Sequence, residues 1–370
     1  PTVVSVVLMC LGLTPVLCAA GEDIKSDPRV EAILHEVRGR HPVPGIVGAI
    51  VQGDRLVAIG AEGVRKQGEP APITVHDRVH LGSCTKSMTA TRIALLVDEG
   101  KLSWSSTLAE VFTDLAPEMH ADFRGVTLDQ LLTHRSGLPA NGAYLFVPGD
   151  TMREKRRALA KALLARPPDS KPGTKFAYSN AGYILAGAMA EQVTGRSWEE
   201  LMEEGLFRPL EMTSAGFGPP GTTDKVDQPW GHSRLFGILI PSQTDNMPVL
   251  GPAGRVHASL ADWGRYASFH FHGKAPSGLA LQPETRTHLH TPPPGEDYAC
   301  GWLARTVPWG QDRALWHNGS NSMWYAEMWV VPGPDYAILV AANQYDKVAV
   351  KACDEAAQSL AELHLHPASR

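Results

Sequence analysis

Cysteine is scarce in this chain: five in 370 residues, two of them (Cys10 and Cys18) within the first twenty positions. The other three, Cys84, Cys300 and Cys353, make no disulfide framework, and sequence alone leaves open whether Cys300 and Cys353 pair. Positive charge is also short. Against 39 Asp and Glu stand 34 Lys and Arg, a net charge of −5 with no basic block, which speaks against nucleic acid as a partner. There is no repeat at a fixed period and no low-complexity tract. What is there, 43% hydrophobic and 20% charged residues, can fill the core of one large unit or two lobes.

Charge is missing altogether before Glu22. The run PTVVSVVLMCLGLTPVLCAA ends in Cys18-Ala19-Ala20, small residues suited to signal-peptidase cleavage. The expectation is a signal peptide over 1–20 and an exported protein, periplasmic or secreted. Gly12, Pro15 and the bare length argue against an anchor, so no stable membrane span is expected after cleavage. Lipoprotein anchoring through Cys18 is disfavoured, because Leu17 stands where a small residue is usual.

The β-type runs IVGAIV and LVAIGAEGV flank Gly53-Asp54 and predict a hairpin over 46–64. After Leu81 the period lengthens. Ala90, Ile93, Ala94 and Val97 share a helical face, with Gly100 at the place of a left-handed C-terminal cap. Capping boxes are expected at Thr127/Gln130, Ser197/Glu200 and Ser259/Asp262, and a helix from Ala181 to about Thr194 ends at Gly195. Residues 216–254, rich in Gly and Pro, read as a long irregular connection. Strand patterns return in YACGWLARTV, ALWHNGS, WYAEMWVV and YAILVAAN, before an amphipathic helix over 348–363. Strands at both ends imply one sheet built from distant parts of the chain, with a site in the cleft beside an inserted helical lobe.

LGSCTKSMTA at 81–90 puts Ser83 three residues before Lys86, on one face of a helix start. A serine hydroxyl attacks only when a neighbour takes its proton, and a partly buried lysine of lowered pKa can do that. The plainer reading, Ser83 as an N-cap and Lys86 as a solvated side chain, is the better one for this pattern alone. Two further motifs shift the balance. FAYSNAGY at 176–183 holds the chain's single Tyr-x-Asn, Tyr178 and Asn180, and LWHNGS at 315–320 sets His317 and Gly319 on a strand.

With these motifs in this order, the chain resembles the serine β-lactamase and penicillin-binding protein superfamily. The similarity is to its class C-like branch: class C β-lactamases, D-Ala-D-Ala carboxypeptidases, D-aminopeptidases and β-lactamase-like esterases. It runs from about Ile46 to the terminal helix and includes LLTHRSGL at 131–138 and PAGRVHASLADWGRYA at 252–267. The resemblance implies an α/β (α+β) fold, an antiparallel sheet flanked by N- and C-terminal helices with an inserted all-helical lobe. One catalytic domain would span 21–370, its sheet lobe about 27–82 and 250–368 and its helical lobe about 83–249.

In that family's terms Ser83 would be the acylated nucleophile and Lys86 its partner in proton transfer. Tyr178 would be the second proton carrier, and Asn180 would hold Lys86 and the substrate amide. His317, Gly319 and Ser320 would form the substrate-binding strand, and the N–H groups of Ser83 and Ser320 the oxyanion hole. Neither metal nor cofactor is implied. The substrate would be a small molecule or peptidoglycan-like, and the oligomeric state stays open.

Two positions depart from the pattern: His317 replaces the usual Lys, and Asn318 the usual Thr or Ser. Histidine, with a reference pKa of about 6.5, is largely neutral at pH 7 and gives a β-lactam carboxylate no fixed positive anchor. That favours an ester, amide or D-peptide substrate over true class C-like β-lactamase activity. A penicillin sensor that acylates and stalls is the rival outside the turnover enzymes. No class A-like Glu-x-x-Leu-Asn segment is present, so no carboxylate-activated deacylating water is expected. GHSRL at 231–235 is one residue short of a nucleophile elbow. The pairs His270/His272, His288/His290 and His364/His366 read as surface histidines, since no carboxylate spacing completes a hydrolytic zinc site. Cys84 reads as a small buried residue, and Trp302, Trp324 and Trp329 as core or cleft wall.

Overall fold

Period two governs the sheet. Strand Gly45–Gln52 sends Ile46 and Ile50 to one face and Val47, Ala49 and Val51 to the other. Strand Tyr336–Ala342 divides Tyr336, Ile338 and Val340 from Ala337, Leu339 and Ala341 in the same way. In this computed structural model, which describes residues 24–144 and 146–366, each face feeds its own hydrophobic cluster. The signal-peptide and Cys18 readings fall outside the described residues.

Six antiparallel strands run in the order Arg55–Gly63, Gly45–Gln52, Tyr336–Ala342, Tyr325–Val331, Arg313–Ser320, Leu303–Thr306. Ile46 pairs with Ala342 and Trp316 with Trp329, so N-terminal strands join C-terminal ones in one sheet. Helices Pro28–Arg40 and Lys347–Leu365 cover one face through Leu34, Val37, Ala356 and Leu360. Helix Leu260–His272 and the helices of the middle segment cover the other. Helix Thr85–Asp98 lies deepest among them, buried at every residue from Thr85 to Leu96. The antiparallel sheet with its flanking helices is the expected fold class.

Glycine caps fall where expected, Gly100 at φ +71 and Gly195 at φ +74. The boxes at Thr127/Gln130 and Ser197/Glu200 are reciprocal. Ser259 caps Asp262 N, but the Asp262 carboxylate is spent on Ser214 N and Oγ. Two further expectations need correcting. The connection over 216–254 contains a hairpin, Gly231–Leu235 with Ile238–Ser242, whose Gly237 turn lay hidden in the Gly/Pro-rich composition. YACGWLARTV is strand only at Leu303–Thr306, because Gly301 at φ +81 turns the chain against Lys86 and Ser87, where a Cβ would come within 2.6 Å of Ser87 Cα. Cys84, Cys300 and Cys353 are all buried free thiols, and Cys300 and Cys353 sit in different clusters, so they do not pair. Among the described residues no helix is long and apolar enough to cross a membrane.

Candidate active site

Two glycines let the serine turn touch the sheet. Gly82, at φ +50, opens the turn Gly82–Cys84 that leads into helix Thr85–Asp98, and a Cβ there would lie 2.3 Å from Ser320 N. A Cβ at Gly319 would lie 2.1 Å from Leu81 O and 2.5 Å from Ser83 N. Only bare backbones approach so closely, and the contact brings the first-turn N–H of Ser83 to the end of strand Arg313–Ser320. Cys84 turns into the core instead. Its thiol donates to His317 O (3.5 Å) and Ala326 O (3.8 Å), and burial pushes its pKa up.

Lys86 is fully buried. Its Nζ reaches Ser83 Oγ at 3.1 Å, Asn180 Oδ1 at 2.7 Å and the Ala253 carbonyl at 2.7 Å. Desolvation draws its pKa down from 10.5 to about 7. A neutral amine has two N–H donors and one lone pair. Asn180 Oδ1 and Ala253 O can only accept, so the lone pair is left for the Ser83 hydroxyl. Lys86 is not a solvated side chain.

The segment 131–138 braces the next group. Ala177 N donates to His134 O, Ser179 N to His134 Nδ1 and Asn180 N to Ala140 O. Ser179 caps helix Asn180–Thr194 through Gly182 N, and Asn180 Nδ2 donates to Asn141 Oδ1 at 2.9 Å, which turns its oxygen to Lys86. Tyr178 lies across Lys86, its ring centroid 4.8 Å from Nζ. Its surface is 38% exposed, yet the crowding around the phenol raises its pKa, while an interaction with the Ser83 side chain opposes the rise.

His317 is buried, with Nδ1 2.5 Å from Asn318 O and Nε2 3.0 Å from Tyr298 OH. A carbonyl can only accept, so Nδ1 carries the proton and Nε2 accepts from Tyr298. Burial, with Lys86 nearby, lowers its pKa to about 3. The imidazole is neutral at pH 7, as expected, and stays so far into acid. Asn318 shares its strand face with Glu327 and Tyr325 and donates to Tyr325 OH, away from His317.

Tyr298 was missed in the sequence, where YAC reads as the start of a strand. It packs on His134, Phe176 and Tyr178, with centroids 4.5, 5.7 and 6.5 Å away. His134 accepts from Ser179 on Nδ1, so its proton sits on Nε2, buried and without a protein partner. A second group behind the serine turn carried no motif either. His80 Nδ1 accepts from Gly82 N at 3.1 Å, and its Nε2 lies 2.9 Å from Asp245 Oδ1. Asp245 also takes Asn321 Nδ2 and Arg255 Nε. Burial works against its charge, but His80, Asn321 and Arg255 outweigh burial and lower its pKa. These bonds fix the corner where Ser320 ends its strand.

The rival sites are structural. Ser233 lies in the 231–235 hairpin strand rather than at a strand-to-helix elbow. Trp302, Trp324 and Trp329 are buried core. The surface reading of the histidine pairs fails for His270, which is fully buried with Nδ1 2.9 Å from His290 Nε2, because its ring packs against Thr91, Tyr266 and Trp302.

A family model described as Beta-lactamase matches residues 30–362. Penicillin-binding protein 4 of Amycolatopsis lactamdurans is 26% identical over 83% of this chain and 82% of its own. Other curated relatives match at 23% identity, and the chain spans 60–63% of their length. Among solved structures, the octameric penicillin-binding protein homologue from Pyrococcus abyssi superposes with a TM-score of 0.74, at 24% identity over 91% of this chain and 77% of that one. A D-amino acid amidase from Ochrobactrum anthropi SV3 reaches 0.75, at 19% identity over 92% and 99%. The match over nearly the whole described chain, with the fold around Ser83 and Lys86, places this protein in the beta-lactamase family as a β-lactamase-related serine hydrolase.

Proposed function

We propose that the protein cleaves neutral esters, amides or D-peptides through an acyl-enzyme on Ser83, and that it works outside the cytoplasm. The observation that carries the reading is Lys86. It is buried and fully hydrogen-bonded, its pKa is near 7, and its remaining lone pair is directed at Ser83 Oγ. Neutral Lys86 takes the hydroxyl proton as Oγ attacks the carbonyl carbon, and the oxyanion meets the N–H groups of Ser83 and Ser320, donors typically worth about 3–4 kcal/mol each in the transition state. Tyr178, held protonated by its surroundings, passes its proton to the leaving group, and the proton that Lys86 took from Ser83 replaces it. Water then repeats the sequence on the ester of Ser83. Asn180 keeps Lys86 and the substrate amide in place. Neutral His317 and Ser320 border the acyl group without offering a positive charge. The apolar stretch 1–20 supports export.

A fluorophosphonate probe should label Ser83, and Ser83→Ala should abolish labelling and ester hydrolysis with an unchanged circular dichroism spectrum. Mass spectrometry that finds the adduct on Cys84 or Ser233 sinks the assignment.

A further inference from the structure

The motif pairing His288 with His290 dissolves in the fold. His290 turns to His270, while His288 meets two residues that are far away in sequence. His288 Nε2 lies 2.8 Å from Asp129 Oδ1, and Cys300 Sγ lies 3.9 Å from the same oxygen. All three donor atoms fall within 4.8 Å of one another. They come from helix Leu128–Leu132, helix Pro283–His290 and the loop before strand Leu303–Thr306. An Asp–His pair needs no thiol. Here a buried thiol completes the group with only a long contact to the carboxylate.

We propose that Asp129, His288 and Cys300 bind one zinc-class divalent ion, with water as the fourth ligand. Thiolate, imidazole and carboxylate together are a donor set that suits zinc. Bond lengths of roughly 2.0–2.3 Å in a tetrahedron set ligand atoms about 3.3–3.8 Å apart, so the donors move by about an ångström. Trp104 stacks on His288 with centroids 4.3 Å apart and 22° between planes, which fixes the ring, and Trp104 O accepts from Asp129 N. Asp129 and His288 are 33% and 39% exposed, which gives the ion and its water a way in. Binding forms a metal–sulfur bond and releases the Cys300 thiol proton to solvent.

The ion would staple segments that hold the active site without entering it. Helix Leu128–Leu132 runs on to His134, and Cys300 lies two residues after Tyr298, the partner of His317. Its role is structural and independent of the proposed reaction.

The test is a cobalt(II) titration of the chelator-treated full chain. One equivalent should produce a sulfur-to-cobalt charge-transfer band that zinc displaces, and zinc should raise Tm by a few degrees at saturation. Cys300→Ser should remove the band. His288→Gln, at a half-exposed position that leaves the core intact, should weaken binding at least about tenfold, as loss of one ligand requires. No band at one equivalent, a band unchanged in Cys300→Ser, or undiminished affinity in His288→Gln overturns the site.

Discussion

At the scale of the residue, the chemistry turns on how two side chains lose their charge. Lys86 has no carboxylate among its hydrogen-bond partners, so desolvation outweighs the opposing pull of Cys84 and the amine is half neutral near pH 7. In the proposed mechanism only that neutral form accepts the Ser83 proton. kcat/KM for a neutral p-nitrophenyl ester should therefore fall about tenfold per pH unit below an apparent pKa near 7. A profile flat down to pH 5.5 would assign the base elsewhere. Tyr178→Phe keeps the ring and removes the proposed proton carrier, and turnover should drop at least about a hundredfold.

In the proposed reaction His317 sets the specificity. With a pKa near 3, it stays neutral over pH 5.5–8.5, so the ratio of ester to nitrocefin kcat/KM should not change across that range. His317→Lys restores a cation, and a charged hydrogen bond is worth roughly 1.5–3 kcal/mol. Nitrocefin should gain on the ester by about ten- to a hundredfold. Strong wild-type nitrocefin turnover would replace the ester reading with a β-lactamase one.

Elements meet at the serine turn, where helix and strand share backbone contacts that no side chain can occupy. Gly319→Ala puts a methyl 2.1 Å from Leu81 O, and backbone on both sides cannot yield as a flexible side chain would. The strand must shift, which misplaces a proposed oxyanion donor. Ester kcat should fall by about a hundred- to a thousandfold, with KM less affected. Wild-type kcat in a folded Gly319→Ala protein would separate this contact from catalysis. The sequence marks Gly319 only as part of a motif. The reason for the glycine lies in another element, 236 residues away at Ser83.

The whole molecule carries a buried carboxyl that the reaction does not use. Glu327 sits in the middle of strand Tyr325–Val331, on the face covered by helix Lys347–Leu365, beside Trp316 and the carboxyl of Asp354. Burial, and then Asp354, raise its pKa. A raised folded pKa means that the native state binds the proton more tightly than the unfolded chain. The contribution is complete below the ordinary carboxyl pKa of about 4.3 and is lost as pH rises through the folded value. Urea unfolding at pH 5 and pH 8.5 should show that Glu327→Gln gains stability relative to wild type as pH rises. A wild-type-to-mutant difference independent of pH would mean that the carboxyl is not protonated in the fold. Buried neutral His134 and His270 work in the opposite sense, losing stability below about pH 6.5, so the comparison between variants is what isolates Glu327.

Sequence by itself determined the elements whose signal is local. The β-type runs at 46–51 and 336–342, the helical period after Leu81, and Gly100 and Gly195 as caps all arise from contacts between near neighbours or from backbone freedom. It also singled out Ser83, Lys86, Tyr178, Asn180 and His317, because each lies in a short recognisable run. Tertiary structure alone decided the electrostatics. Whether Lys86 is buried, which tautomer His317 holds, and that Tyr298, His80 and Asp245 stand behind them depend on groups that only folding brings within a few ångströms. The hairpin at 231–242 and the turn at Tyr298–Gly301 were hidden for the same reason. Their shape answers to Met323, Lys86 and Ser87, packed from elsewhere in the chain.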